Sequence, residues 1–144
     1  MARKLCLNFA YKHSYYKFLR AFVNCVGYGG PILWTELVKC ECNSADIVLP
    51  LQTFRICTDK YLKKELQAVP NDWPLIAVGR EAHKALSYLF PEKSVLGVPH
   101  PTSSRGYFSK MFKKDTNREQ FSEDIQRQVD EFLNNPNIEM WLST

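Results

Sequence analysis

Leu5, Leu7 and Phe9 alternate with Cys6 and Asn8 in KLCLNFA, and this two-residue period predicts a strand. The spacing then changes. SYYKFLRAFVNCV reads as a helix, with Ser14 placed to cap it and Gly27 to stop it. GYGG is a turn, and PILWTELVK is rich enough in β-formers to predict a second strand. CECNSADIVLPLQTF carries mixed signals and reads as an irregular loop. From Arg55 to Val69 the positions of Leu62, Leu66 and Val69 suit a helix, closed by Pro70. WPLIAVG is a short, wholly apolar run, the pattern of a strand buried on both faces. REAHKALSYLF is helical up to Pro91, with His83 expected as an exposed helix residue, and SVLGV is a fourth strand. Thr116 and Glu119 have the spacing of a capping box. Phe121, Ile125, Val129 and Phe132 would then line one face of a last helix, which Pro136 helps end.

Strands alternating with helices predict a parallel sheet covered by helices. The expectation is a single domain over residues 1–144, of α/β class: a three-layer α/β/α arrangement around a four-stranded parallel sheet. Right-handed crossovers bring the carboxyl ends of all strands to one edge, where open α/β sheets bind ligands. Asn8, Glu36, Gly79 and His100 fall at or near those ends.

The chain has 144 residues, 45% of them hydrophobic, which is enough to bury a core. No apolar run has the length of a bilayer span, and MARKLCLNFAYKHS lacks the pattern of a secretion signal, so no membrane partner is expected. Five unevenly spaced cysteines then read as reduced thiols of a cytoplasmic protein, with metal binding open. Charge changes the picture more. Arg3, Lys4, Lys12, Lys17 and Arg20 stand in the first twenty residues without an acid. Arg105, Lys110, Lys113, Lys114 and Arg118 stand against Asp115 alone in residues 105–118. The whole chain carries +4, so the remainder is net acidic. Two basic segments on an acidic body point to a polyanionic partner, with nucleic acid first among candidates.

The most distinctive stretch is SVLGVPHPTSSRG. Pro99 and Pro101 restrict the backbone on both sides of His100, giving one imidazole a stiff perch at the end of the fourth strand. That suits a side chain that must meet its partner at a fixed place.

WPLIAVGREAHKAL followed by VLGVPHPTSS resembles the C-terminal half of the uracil-DNA glycosylase superfamily, where a strand ending in Gly leads into a helix and the next strand delivers a His-Pro-Ser type motif. ILWTELVKCEC and FRICTDKYLKKEL look like the preceding segment of its bacterial and archaeal iron–sulfur branch. The family's first motif, Gly-x-Asn-Pro or a variant, has its nearest counterpart in CLNF, where Asn8 is in register but the Gly and the Pro are missing. The resemblance implies that fold and a monomeric, monofunctional DNA N-glycosylase that flips a base out of the duplex and leaves an abasic site. The alternative is a catalytically silent DNA-binding module on the same fold.

On this resemblance, His100 would hydrogen-bond the base carbonyl and Asn8 would orient the attacking water. Tyr11 or Tyr15 would stack on the base. Ser103 and Ser104 would contact phosphate, Arg105 would wedge into the vacated gap, and Lys110, Lys113 and Lys114 would neutralise the backbone. Glu36 stands where the family usually has Asn. An ionised Glu only accepts hydrogen bonds, which disfavours uracil O4 and favours a base edge bearing an amino group, such as a cytosine-type or modified pyrimidine. Cys40 and Cys57 match two cluster cysteines of the iron–sulfur branch, but the Cys-x-x-Cys pair is missing, so Cys42 and Cys6 or Cys25 would have to complete a four-thiolate set. No cofactor is therefore expected.

Overall fold

A computed structural model describes residues 14–28, 31–35, 51–102, 104–135 and 138–144. In chain order its elements are α1 (Ser14–Val26), α2 (Leu51–Cys57), a π-helical segment (Thr58–Leu62), α3 (Lys63–Gln67), β1 (Leu75–Val78), α4 (Arg80–Leu89), β2 (Val95–Val98), α5 (Tyr107–Lys110), α6 (Glu123–Asn134) and β3 (Glu139–Trp141). The chain divides into two compact units, one of residues 1–30 and 74–144, the other of residues 31–73.

The first unit is built on a parallel sheet in the order β1-β2-β3. Leu75 pairs with Val95 and Val78 with Val98, while Val95 pairs with Glu139 and Gly97 with Trp141. All four residues of central β2 are buried, as its apolar run requires. The ladder continues past the strands: Gly79 N–H donates to Val98 O at 2.8 Å and Leu142 N–H to Gly97 O at 2.9 Å. Gly79, at φ 92°, turns β1 directly into α4. Gly97 is dictated by crowding. A Cβ there would lie 2.5 Å from both His83 Cδ2 and Trp141 Cε3, so only glycine lets α4 and the Trp141 ring close on β2.

α1 buries Leu19, Phe22, Val23 and Val26 at helical spacing, and the helix stops before Gly27 as expected. α6 buries Ile125, Val129 and Phe132, the predicted stripe. Phe22, Phe108, Phe112 and Phe121 join the elements of this unit through ring contacts of 5.4–6.3 Å. Gln128 of α6 holds the segment after β3 by a reciprocal pair with Ser143, Nε2 to O at 2.9 Å and N–H to Oε1 at 3.1 Å.

The second unit runs helically from Leu51 to Gln67, burying Cys57, Thr58, Leu62 and Leu66. Thr58 Oγ1 donates to Phe54 O at 2.7 Å beside the π-helical segment. Lys63 Nζ lies 2.5 Å from Asp59 Oδ1 and holds that carboxyl below its ordinary pKa, and Thr35 hydrogen-bonds Glu65.

Several expectations are corrected. Among the described residues the sheet has three strands, not four. β1 and β2 are the expected third and fourth strands. The expected first, over Leu5–Phe9, lies outside the described residues. Residues 31–35 of the expected second form no strand, and the rest of it is outside. Leu33 is 47% exposed and Trp34 40%. Residues 51–54, which the mixed signals of CECNSADIVLPLQTF assign to a loop, are helical. β3 was not foreseen, because three residues after Pro136 carry too little periodicity. Thr116 and Glu119 do not cap a helix. Thr116 Oγ1 donates to Lys113 O at 2.8 Å and Glu119 N–H to Thr116 O at 3.0 Å, which closes a turn instead. The last helix starts at Glu123, and Phe121 lies before it, bridged to Phe112. No helix among the described residues is long and apolar enough to cross a membrane.

Candidate functional site

β2 delivers His100 to the carboxyl edge of the sheet. Pro99 and Pro101 are both buried, and the imidazole between them is half-buried. Two groups of Thr102, its backbone N–H and Oγ1, each lie 3.3 Å from His100 Nδ1. A backbone N–H can only donate, so Nδ1 accepts and the ring proton sits on Nε2. Burial pushes the His100 pKa below its ordinary value, which keeps the ring neutral near neutral pH. The result is an oriented, uncharged N–H donor on a rigid support.

Tyr15, in the first turn of α1, meets His100 with ring centroids 5.1 Å apart and a 45° tilt. Tyr16 stands edge-on to Tyr15 at 5.1 Å. Two residues singled out from distant parts of the sequence are thus brought together. Asn8, Tyr11, Glu36, Ser103 and Cys40 lie outside the described residues.

The segment after His100 is exposed and basic. Ser104 Oγ accepts the Phe108 N–H at 3.1 Å and Ser104 O the Tyr107 N–H at 3.1 Å, so the hydroxyl expected to meet phosphate helps start α5. Arg105 is exposed with a left-handed backbone, φ 52°. Lys110 Nζ sits 4.8 Å from the centre of the exposed Tyr107 ring. Lys113 and Lys114 are exposed.

Beyond them lies Arg118, the last residue of the basic segment. Its guanidinium lies over Phe18 of α1, 4.1 Å from the ring centroid, and its carbonyl accepts the Cys25 thiol at 3.3 Å. The sequence signal was faint: Asn117, a residue type that tolerates left-handed backbone, beside an arginine.

His83, expected to be exposed, is 6% exposed. It fills the space over Gly97, and its Nε2 lies 2.8 Å from Glu139 Oε1 without the alignment of a hydrogen bond. Burial lowers its pKa, against the raising influence of Glu139 and of a backbone hydrogen bond at Met140. Arg80 covers the neighbouring Trp141 ring at 4.7 Å.

Cys25 and Cys57 are the described cysteines. Burial, then the Glu119 carboxylate, raises the Cys25 pKa. Cys57 is buried within the helical unit. No cluster of three metal-binding side chains occurs among the described residues. Cys6, Cys40 and Cys42, the other cysteines of the expected set, lie outside the described residues. Comparison of the chain with protein-family models, with curated proteins and with solved structures finds no match.

Proposed function

We propose that the protein binds DNA and hydrolyses the N-glycosidic bond of a base taken out of the stack. The observation that carries this reading is the His100–Tyr15 pair: a neutral imidazole held with its proton on Nε2, beside an aromatic ring, at the carboxyl edge of a parallel sheet. Tyr15 would pack against the base while His100 Nε2–H donates to a base carbonyl. When the C1′–N bond breaks, its electron pair goes to the base, and a donor aimed at the developing anion stabilises it. Water supplies the oxygen that bonds C1′ and releases a proton to the departing base or to solvent. Asn8 is the residue proposed to orient that water, and Glu36 the one that would favour a cytosine-type base over uracil. Neither step needs a cofactor, and the enzyme would act as a monomer. The reading assigns the chain a uracil-DNA glycosylase-like fold, which requires a further strand over Leu5–Phe9.

Incubation with oligonucleotides bearing uracil, cytosine or modified pyrimidines, followed by alkali, tests this reading. Abasic-site cleavage by wild type, lost in His100→Ala, is the expected result. Binding without any abasic product would favour the second reading, a silent DNA-binding module, to which the missing Gly and Pro around Asn8 already point. Equal product from wild type and His100→Ala would overturn the role of His100.

A further inference from the structure

α1 runs past three neighbours in order. Tyr15 meets His100, Phe18 and Phe22 meet Phe108, and Phe18 and Cys25 meet Arg118. Phe18 follows Tyr15 by three residues, ~5 Å along the helix axis and on the same face. Phe18, which carries the Arg118 guanidinium, is thus about one turn of α1 from Tyr15, which carries His100.

Arg118 is held from both ends. Its backbone is left-handed at φ 61°, as are Asp115 at 64° and Asn117 at 50°, a conformation that residues with a side chain seldom take. Such backbone tends to persist where the surroundings over-determine it, and it clusters at binding sites. Here the surroundings are the Cys25 thiol on the Arg118 carbonyl and the Phe18 ring under its guanidinium. Arg55 and Arg127 lie beside aspartates, at 4.0 and 2.9 Å. Among the described residues Arg118 has no carboxylate partner and no hydrogen-bond acceptor for its guanidinium. A guanidinium held over a ring face leaves N–H groups to offer a two-point contact, which carboxylates and phosphates satisfy. Lys113 and Lys114, exposed in the same loop, favour the phosphate.

We propose that Arg118 is the fixed phosphate-binding residue of this protein: its guanidinium, held over Phe18, pairs with a phosphodiester of the nucleotide whose base meets His100. The second half of that statement rests on the function proposed above; the first does not. Arg118 does not touch the bond that breaks, so it is a binding residue.

The test compares wild type, Arg118→Gln and Arg118→Lys in fluorescence-anisotropy titrations across a range of salt. One probe is a short single-stranded oligonucleotide. The other is a phosphodiester chain of equal length carrying abasic tetrahydrofuran units. Arg118→Gln is expected to weaken both probes about tenfold and to reduce the salt slope by about one phosphate's worth, ~0.7–1. Arg118→Lys should restore the slope and only part of the affinity, because an ammonium cannot make the planar two-point contact. Equal affinity and equal slope for wild type and Arg118→Gln would overturn the proposal. Loss on the base-free chain, with no tighter wild-type binding when bases are present, would keep Arg118 as a phosphate site and reject base reading at His100. Wild type binding neither probe would overturn both.

Discussion

Replacing Gly97 by alanine adds a single methyl group at the most crowded point of the sheet. Its Cβ would lie 2.5 Å from His83 Cδ2, 2.7 Å from His83 Cγ and 2.5 Å from Trp141 Cε3. Carbon atoms in contact prefer about 3.5–4.0 Å, so the overlaps are ~0.8–1.5 Å. Neither ring can simply swing away: His83 is buried with Nε2 against Glu139, and Trp141 has Arg80 over it. Relief requires α4 or β3 to move off β2. Overpacking of this kind costs about 1–3 kcal/mol, and two rigid partners place this site near the upper end. For a protein of this length ~3 kcal/mol corresponds to a fall in Tm of ~10 °C. Thermal and urea unfolding followed by circular dichroism would measure it. Adding His83→Ala should recover part of the loss, since it removes one of the two clashing rings, so the double mutant should be less than additively destabilised. Because His100 follows on the same strand, Gly97→Ala should also weaken oligonucleotide binding at temperatures where the variant remains folded. A Gly97→Ala protein within about 0.5 kcal/mol of wild type would refute the packing of α4 and Trp141 against β2.

Two further outcomes follow from the histidines. His83 has a pKa lowered chiefly by burial, so the unfolded chain takes up its proton at a pH where the folded chain does not. Stability should be full above the ordinary histidine pKa of ~6.5 and decline as pH falls through the lowered folded value; in His83→Gln the decline should be shallower, with a cost of ~1–2 kcal/mol at neutral pH from lost packing. Parallel pH dependence of the two proteins in urea titrations would reject this linkage. For His100, long-range nitrogen–proton NMR should show a protonated Nε2 and an unprotonated Nδ1 at neutral pH, with titration below the ordinary range; an Nδ1–H tautomer would contradict the contact from Thr102.

The parts of the fold legible in the sequence were those where a local signal and the tertiary structure agree. VPHP encodes its own rigidity, because proline geometry needs no neighbours, and His100 is held between buried prolines as that motif implies. WPLIAVG and SVLGV are apolar on both faces and became β1 and β2, while the 3.6-residue stripes of α1 and α6 reached the core. What escaped depends on partners far away in the chain. Gly97 reads as an ordinary glycine until His83 and Trp141 arrive on either side of it. His83 looks exposed in REAHKAL because helical spacing cannot report what lies above a glycine on another strand. β3 exists through its ladder to β2 rather than through its own three residues. Arg118 is the same kind of case. Its charge is visible in the sequence, but what separates it from Lys113 and Lys114 is Phe18 beneath its side chain and Cys25 behind its carbonyl, both supplied by α1. Charge counting puts the three residues on equal terms, whereas the geometry predicts unequal ones. Lys113 and Lys114 lose side-chain entropy to reach a phosphate, and Arg118 is already in place. Neutralising either lysine should therefore change the salt slope as much as neutralising Arg118 while costing less affinity. That inequality separates a built phosphate site from a generally basic surface.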